Sequence, residues 1–303
     1  MTVRGSSPQI DSLDEKLIQA LQEDGRQSSE SLARRLKVSP STVLRRIEQL
    51  TKKKVMRIVG VVDPDRVGLL LAAMIGLDVE PGKLTSVVEA LIKRPSVKFV
   101  SPATGRFDVI IFTLFKSNDE LSQFVESELA SIDGVKDSET FICLNVKKGR
   151  FAQYAPVGGT MEEELIKLLQ RDGRQSSESL ARQLKVSPST VLRRIRDLTR
   201  SGILRIVAVV DLGKVGFPLV AVVGIDVTQG KVTSVAEALA QQSAVKFAST
   251  AAGRFDILAF MRFRSNDDFY RFMEMALASM EGVKDTETFI CLNLRKGRYT
   301  QLN

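Results

Sequence analysis

Apolar residues recur at helical spacing near the start of the chain. One predicted helix has a leucine every four residues on one face, at Leu13, Leu17 and Leu21. It carries Asp14 and Glu15 in its first turn, where the helix dipole favours acidic side chains, and it ends at Asp24–Gly25. A second, shorter helix is predicted after Ser28 or Ser29, with a small apolar side made by Leu32, Ala33 and Leu36.

A third helix is predicted to begin at Ser39–Pro40 and to run to about Leu50. Serine is a preferred residue for capping a helix N-terminus, and proline is favoured at the first helical position. Val43, Ile47 and Leu50 share the inward face of this helix. Three short helices with a tight turn between the second and the third predict a helix-turn-helix domain.

The apolar pattern then changes from helices to strands. Residues 55–63 are predicted to form a connecting strand. The following segments are predicted as strand, helix, strand, strand, helix and strand, at residues 69–79, 83–93, 97–103, 107–115, 118–132 and 135–144. This order is that of a ferredoxin-like domain, which has four antiparallel strands with two helices on one face. Because the other face of the sheet is apolar, we expect it to pack on a second sheet.

The whole pattern occurs twice. Residues 22–150 align with residues 170–298 without a gap, at a constant offset of 148. A period of this length is too long for a solenoid repeat, so each copy is a self-contained module. The predicted fold class is α+β, with two copies of a winged-type helix-turn-helix followed by a ferredoxin-like βαββαβ domain. The predicted domains are residues 11–54, 55–150, 161–202 and 203–303, and residues 151–160 form a linker that contains Pro156 and Gly158–Gly159.

The composition excludes several kinds of catalytic and metal-binding site. The chain of 303 residues has no His and two Cys, so His-dependent catalysis, imidazole metal ligands and a four-thiolate zinc site are excluded within one chain. Cys143 and Cys291 each lie in an apolar strand-like run, which favours buried thiols over a disulfide. We expect neither a cofactor nor a metal. No apolar stretch approaches the roughly 20 residues that cross a bilayer, and a cytoplasmic location is expected.

Charge is concentrated in the helix-turn-helix segments. Residues 26–57 hold ten basic and two acidic residues, and residues 174–205 hold eight and two, whereas the net charge of the whole chain is only +8. Because neutralised phosphates release counterions, such a concentration of positive charge is typical of DNA-binding surfaces. A solvated basic face is the alternative that charge alone leaves open. The capped third helix in the same window favours DNA binding.

The outward face of the third helix supplies the candidate base contacts. Ser41, Thr42 and Arg45 lie in its N-terminal part, and the fork of Arg45 is suited to a guanine. Arg46 and the surrounding basic residues are expected to contact phosphates. The predicted DNA-binding residues of the first copy are Ser39, Ser41, Thr42, Arg45, Arg46, Gln49, Arg34 and Lys37, and those of the second are Ser187, Ser189, Thr190, Arg193, Arg194, Arg182 and Lys185. Because residues 38–47 and 186–195 are identical, the expected target is double-stranded DNA with repeated or inverted half-sites.

At these motifs the sequence resembles a known family. The first copy has Asp24–Gly25–Arg26, Leu32–Ala33, Val38–Ser39, Ser41–Thr42–Val43, Arg46–Ile47, Gly105–Arg106–Phe107–Asp108, and Gly134–Val135 followed by Thr140. These motifs resemble those of the Lrp/AsnC transcriptional regulators. The pattern occurs once in each copy, and the two copies together cover nearly the whole chain. A single module is the usual chain of that family, so this protein resembles a tandem fusion. The resemblance implies dimers and larger assemblies, and a small effector, often an amino acid, bound between ferredoxin-like modules.

The resemblance also implies an effector site lined by the turn between the second and third strands, together with residues of the last strand of a neighbouring module. The residues carried over from the first copy are Ser101, Thr104, Gly105, Arg106, Phe107, Asp108, Asp137, Glu139 and Thr140. Those from the second copy are Ser249, Ala252, Gly253, Arg254, Phe255, Asp256, Asp285, Glu287 and Thr288. An adjacent arginine and aspartate suit the carboxylate and ammonium of an amino acid. The glycine would be needed for the turn with or without a ligand.

Departures from the family pattern change what we expect of the effector. The family more often has an acidic or amide residue where Arg106 and Arg254 stand, which favours an acidic ligand or none. Lys54 stands where glycine is usual, and the second copy has Gly202 there. We therefore predict an effector-gated transcriptional regulator, with an effector-independent DNA-wrapping protein as the alternative. An enzyme is disfavoured because the sequence contains no nucleophile, base or phosphate-loop motif.

Overall fold

The computed structural model describes residues 10–149 and 159–297 and the backbone of Tyr299–Thr300. Most of the predicted linker, residues 151–158, lies outside the described part. The elements of the first copy are α1 (Ser12–Glu23), α2 (Ser29–Leu36), α3 (Pro40–Lys52), β1 (Met56–Val62), β2 (Leu71–Val79), α4 (Leu84–Lys93), β3 (Val97–Pro102), β4 (Val109–Phe115), α5 (Asn118–Gln123) and β5 (Val135–Lys148). Those of the second copy are α6 (Met161–Arg171), α7 (Ser177–Leu184), α8 (Pro188–Arg200), β6 (Leu204–Asp211), β7 (Leu219–Val227), α9 (Val232–Gln241), β8 (Val245–Ala252), β9 (Ile257–Phe263), α10 (Asn266–Arg271) and β10 (Val283–Cys291), with a short β11 (Tyr299–Thr300) at the end.

These elements form two compact units, each assembled from both copies. The first unit comprises Met1–Val67, Phe151–Gly216 and Tyr299–Asn303, and the second comprises Gly68–Arg150 and Phe217–Arg298. The division between the units falls after Val67 and Gly216, whereas the domain boundaries expected from the sequence follow residues 54 and 202. The connecting strands β1 and β6 belong to the unit of the helix-turn-helix domains because they pair with each other rather than with the ferredoxin-like sheet.

Side-chain caps fix the helices of the first unit. Asp11 and Asp14 form a reciprocal capping box at the start of α1. Ser28 Oγ accepts a hydrogen bond from the backbone N–H of Ser31, and Ser39 Oγ accepts one from the backbone N–H of Thr42, both at 3.1 Å. These serines begin α2 and α3 where the sequence predicts. The predicted helix-turn-helix is thus confirmed in the first copy, and the same caps recur in the second.

The ladder between β1 and β6 relates the two helix-turn-helix domains. The strands are antiparallel, and Val59 lies opposite Val207, its own counterpart in the repeat. The pairing is therefore symmetric about its centre: Met56 faces Val210, and Val62 faces Leu204. Helix α1 of the first copy packs on β6, and α6 of the second packs on β1. The strand that follows each helix-turn-helix thus contributes to a sheet shared by the two copies.

The second unit is an eight-stranded antiparallel sheet in the order β10-β7-β9-β8-β5-β2-β4-β3. Module 1 is β2 to β5 and module 2 is β7 to β10, and each has the strand order and the two helical segments of a ferredoxin-like domain, as predicted. The second helical segment differs from the predicted single helix at 118–132, because α5 continues as a π-helical turn, Phe124–Leu129. Each module has its own apolar core on its helix side, made mostly of aliphatic side chains with a few phenylalanines.

The end of each module's last strand reaches the other module, while the strand itself stays paired within its own module. β5 runs to Lys148 rather than to Leu144 because its end pairs with β8 of module 2. In the other direction, Cys291 at the end of β10 bridges to Ala103, just after β3, and Lys296 bridges to Val100 of β3. Phenylalanines from facing strands also meet across the modules at ring distances of 5.4 Å for Phe99–Phe260 and 5.2 Å for Phe112–Phe247. The apolar sheet face that the sequence predicts to need a partner is covered by the other module of the same chain.

Candidate nucleic-acid interface and effector site

The N-terminal turns of α3 and α8 present the predicted base-contacting residues. Around the cap of α3, Ser39 Oγ lies 2.9 Å from both Ser41 Oγ and Thr42 Oγ1. The three hydroxyls of the second copy, on Ser187, Ser189 and Thr190, form the same cluster at 2.8 Å. Ser39 and Ser187 therefore act first as helix caps. Ser41 and Ser189 are exposed, whereas Thr42 and Thr190 are half-buried.

Arg45 and Arg193 are exposed on the outward faces of α3 and α8, opposite the buried valine and isoleucine side chains. Farther along, the two faces differ in charge. Glu48 and Gln49 of α3 are exposed, and their counterparts on α8 are Arg196 and Asp197. The predicted contact at Gln49 therefore has no amide counterpart in the second copy.

Arg46 differs from the predicted arrangement. Its side chain turns back toward α1, where Nη1 lies 2.7 Å from Asp11 Oδ2 and 3.2 Å from Asp14 Oδ2. The backbone N–H of Asp14, and then Arg46, lower the pKa of the Asp11 carboxyl. Arg194 pairs with Glu162, with Nη1 3.2 Å from Glu162 Oε1. The reason for the difference from the prediction is that these carboxylates, at the start of α1 and α6, lie within reach of the two arginines.

The remaining predicted phosphate contacts lie at the turn between the two helices of each motif. Lys37 and Lys185 are exposed and adopt the left-handed backbone conformation, both with φ of 56°. Arg34 and Arg182 are exposed one turn earlier, on α2 and α7. These four cations therefore lie beside α3 and α8, the helices predicted to contact the bases, at positions suited to phosphates.

In the second unit, the turns predicted to bind an effector lie against the other module. The backbone N–H of Thr104 donates to the carbonyl of Ile290 at 3.0 Å, and Ala252 pairs with Ile142 in the β5–β8 ladder. Gly105 and Gly253 have φ of 103° and 132°, which favours glycine. These pairings between modules therefore bring residues of both copies together at the turns.

Two arginines and two glutamates connect the turns by ion pairs. Arg106 Nη2 lies 3.4 Å from Glu139 Oε2, and Arg254 Nη1 lies 3.1 Å from Glu287 Oε2. Arg254 Nε also lies 3.6 Å from Glu139 Oε1, so Glu139 contacts one arginine from each module. All four side chains remain partly exposed. The two predicted effector sites thus form one continuous charged cluster.

A cluster of four phenylalanines also joins the two turns. Phe107 packs at 5.3 Å from Phe289 and Phe255 at 5.2 Å from Phe141, and longer contacts of 6.1 Å and 6.3 Å complete the ring, between Phe107 and Phe141 and between Phe255 and Phe289. All four side chains are buried. Sequence analysis identified Phe107 and Phe255 but not Phe141 and Phe289; the repeated Phe-Ile-Cys run is the signal that could have found them.

Several predicted effector residues have structural partners of their own. Asp108 Oδ2 accepts from the backbone N–H of Val79, and Asp256 Oδ2 from that of Val227, both at 2.8 Å. Each aspartate therefore holds its turn against the neighbouring strand, and one of its carboxylate oxygens is already engaged.

Ser101 and Ser249 differ from the predicted lining of an open site. Both are fully buried, and their hydroxyls donate to the carbonyls of Pro102 and Thr250 at 2.8 Å. They lie beside the thiols of Cys291 and Cys143, which are free, as predicted, and buried. Burial raises the pKa of both thiols to about 12, so they are protonated at neutral pH.

The other predicted residues lie along β5 and β10. Asp137 and Asp285 are exposed, and each accepts a hydrogen bond from the next backbone N–H, that of Ser138 at 2.7 Å and that of Thr286 at 2.8 Å. Thr140 and Thr288 are half-buried. In module 2, burial and the carboxylates of Asp256 and Asp285 raise the pKa of Asp226. The described residues contain no group of His, Cys, Asp and Glu arranged to hold a metal ion, and among them no helix is long and apolar enough to span a membrane.

Models of known domain families match both the helix-turn-helix domains and the ferredoxin-like modules of this chain. The model of the Lrp/AsnC ligand binding domain matches twice, over residues 72–152 and 220–300. The model of the AsnC-type helix-turn-helix domain matches residues 10–51, and a winged helix-turn-helix DNA-binding model matches residues 161–205. This chain belongs to the Lrp/AsnC family.

Individual proteins of the family match one copy at a time. An uncharacterized HTH-type transcriptional regulator of Pyrococcus horikoshii is 37% identical over 146 residues, which are 48% of this chain and 92% of that protein. The HTH-type transcriptional regulator FL11 of Pyrococcus furiosus is 31% identical over 140 residues, which are 46% of this chain and 92% of FL11. The tandem chain is thus a DNA-binding regulator of the Lrp/AsnC type with two ligand-binding domains.

A solved structure that spans both copies is that of the siroheme decarboxylase NirDL. It covers 94% of this chain and 92% of its own, with a TM-score of 0.65 and 18% identity. At that identity the likeness concerns the fold alone. It shows that another chain carries two copies of this architecture.

Proposed function

We propose that one chain reads an inverted pair of DNA half-sites with α3 and α8. The observation that carries this proposal is the pairing of Val59 with Val207, its own counterpart, at the centre of the β1–β6 ladder. Such a pairing relates the two copies by a local twofold axis, and twofold-related helix-turn-helix domains match the symmetry of an inverted repeat in DNA. A direct repeat would require the two domains to have the same orientation.

Base contacts in each half-site come from the N-terminal turns of the recognition helices. Arg45 and Arg193 are exposed there with their forked guanidinium groups, which suits guanine O6 and N7. Arg34, Lys37 and their counterparts Arg182 and Lys185 neutralise phosphates. Arg46 and Arg194 carry a smaller part of the contact because carboxylates of α1 and α6 already pair with them.

Selection of duplexes from a random library with the full chain tests this proposal. We expect an inverted repeat, and we expect affinity to fall steeply between 50 and 200 mM salt because phosphates are neutralised on binding. Replacement of Arg45 and Arg193 by Ala should weaken specific binding by about 1–3 kcal/mol per guanine contact and relax the selected sequence. Arg271→Ala, on the exposed face of module 2, is the matched control. Selection of single sites or direct repeats would contradict the inverted arrangement.

We propose further that the charged cluster of Arg106, Glu139, Arg254 and Glu287 is the effector site, and that its ligand carries a carboxylate. The supporting observation is that each arginine faces a glutamate side chain at a partly exposed turn, where a ligand carboxylate can replace that glutamate. Thermal-shift measurements with acidic amino acids and related dicarboxylic acids test this assignment. Stabilisation by such a ligand should disappear in the Arg254→Ala variant and persist in Arg271→Ala.

One observation favours the alternative, an effector-independent protein that wraps DNA. Glu139 contacts arginines of both modules, so the chain itself already satisfies the charge that an effector would supply. If no acid shifts the melting temperature and DNA binding is broad in sequence, steep in salt and insensitive to ligands, the architectural function is the correct one.

A further inference from the structure

Each recognition helix exposes a large apolar side chain. Leu44 of α3 is 54% exposed and Leu192 of α8 is 46% exposed, whereas the adjacent Val43 and Val191 are almost fully buried. A single exposed leucine is ordinary on a protein surface. Here the same position is exposed in both copies, within the most basic segments of the chain.

The position of Leu44 on α3 places it among the predicted base contacts. Successive helical residues are about 100° apart, so Leu44 lies about 60° around the helix from Ser41, one turn earlier, and about 100° from Arg45. All three are exposed and belong to the first two turns of the helix. When α3 enters a major groove with its N-terminal part foremost, the leucine side chain is carried to the base edges together with the arginine.

A leucine at this position can make an apolar contact with only one group on the major-groove edges of the bases, the 5-methyl of thymine. Guanine, cytosine and adenine present donors and acceptors in the major groove, and thymine adds its 5-methyl group. Burying a leucine against a polar base edge would leave that edge without a hydrogen bond, whereas contact with the methyl removes apolar surface of both partners from water.

We propose that Leu44 and Leu192 determine specificity by contacting the 5-methyl group of one thymine in each half-site. This inference rests on the proposed DNA-reading function and adds a base preference to it. Because residues 38–47 and 186–195 are identical, both half-sites carry the thymine at the same distance from the guanine read by Arg45 or Arg193.

Removal of the methyl group alone tests the contact. The selected duplex is synthesised with deoxyuridine in place of individual thymidines, which deletes the 5-methyl and leaves base pairing intact. Binding of the full chain is measured with both duplexes, for the unaltered protein and for the double variant Leu44→Ala with Leu192→Ala. Leu70→Ala, at a leucine that is 70% exposed in the second unit, is the matched control.

We expect the unaltered protein and Leu70→Ala to lose affinity by about fourfold for each critical methyl removed, because burial of one methyl group stabilises a complex by about that factor. The double alanine variant should bind thymine and uracil duplexes equally, with an unchanged melting temperature because both leucines are surface residues. This inference is wrong if uracil leaves the affinity of the unaltered protein unchanged, or if the alanine variant still loses affinity for uracil duplexes. It is also wrong if the selected half-sites contain no thymine. In each of these cases the DNA-reading function stands. Failure to select any specific duplex overturns both.

Discussion

Arg26 and Arg174, counterparts in the repeat, each donate hydrogen bonds to the backbone of the other copy. Arg26 Nε and Nη2 donate to the carbonyls of Gly173 and Gln175 at 2.8 and 2.9 Å. Arg174 Nε and Nη2 donate to those of Gly25 and Gln27 at 2.8 and 2.6 Å. The turns after α1 and α6 are thus held together by a reciprocal pair of arginine forks on either side of the β1–β6 ladder.

Loss of these forks should weaken the first unit. The double variant Arg26→Ala with Arg174→Ala removes four charge-assisted hydrogen bonds to buried or half-buried backbone, and we expect a loss of about 2–4 kcal/mol in the free energy of unfolding. Urea titration followed by circular dichroism measures it. Arg34→Ala with Arg182→Ala, which changes the same number of charges on exposed helix faces, should cost less than about 0.5 kcal/mol. Equal losses in the two double variants would contradict the structural role of the forks.

The two recognition helices should contribute unequally to DNA affinity. Glu48 of α3 stands where α8 has Arg196, so the first copy places a negative charge beside the DNA and the second a positive one. Glu48→Arg should tighten binding several-fold at low salt and increase the slope of log affinity against log salt by about one, because one more phosphate is neutralised. The reverse change, Arg196→Glu, should weaken binding and lower the slope. Fluorescence anisotropy between 50 and 200 mM salt measures both, and an unchanged slope would place this position away from the phosphates.

Much of the fold follows from local signals. Ser28, Ser39 and Pro40 define where α2 and α3 begin, and the apolar alternation in the second half of each copy predicts its four strands. The pairing of β1 with β6 does not follow from these signals, because periodicity describes the faces of a strand and says nothing about a partner 148 residues away. The same reason explains why the pairing of β5 with β8 of the other module was not predicted, although the need for a partner was.

The candidate sites divide in the same way. The exposure of Arg45 follows from helix geometry once Val43 and Ile47 are assigned to the core. The engagement of Arg46 by Asp11 does not, because it depends on how α1 crosses α3. At the turns proposed to bind an effector, the sequence identifies Arg106 and Arg254, but only the assembled modules show that Glu139 lies between them.

Lys54 should be replaceable by glycine with a gain in stability. It follows α3 with φ of 55°, in the left-handed region that disfavours residues with a Cβ, and Gly202 takes the same conformation in the second copy with φ of 71°. Lys54→Gly should therefore raise the free energy of unfolding by about 1 kcal/mol. The matched change Gly202→Lys should lower it by a similar amount. Thermal and urea unfolding of both variants provide the measurement. If Lys54→Gly does not stabilise the protein, side-chain contacts of Lys54 offset the backbone strain.

Lys246 should make the stability of the second unit depend on pH in the alkaline range. Burial, followed by the charges of Arg262 and Lys148, lowers the pKa of Lys246 from 10.5 to about 7. Below about pH 7 the ammonium is charged in both the folded and the unfolded chain. Burying this charge near Arg262 and Lys148 then lowers the free energy of unfolding by its full amount. Between pH 7 and 10.5 the unfolded chain binds a proton that the folded chain does not, so this group makes the free energy of unfolding rise with pH.

Lys246→Met removes the charge and keeps the aliphatic stem, so it should stabilise the protein most at pH 6 and progressively less toward pH 10. Lys284→Met, at an exposed lysine of module 2, is the control and should show no such trend. Melting temperatures of the three proteins measured from pH 6 to 10 compare them directly. If the gain from Lys246→Met were the same at every pH, the lysine would keep its ordinary pKa in the folded chain, and its charge would be solvated rather than held among Lys148 and Arg262.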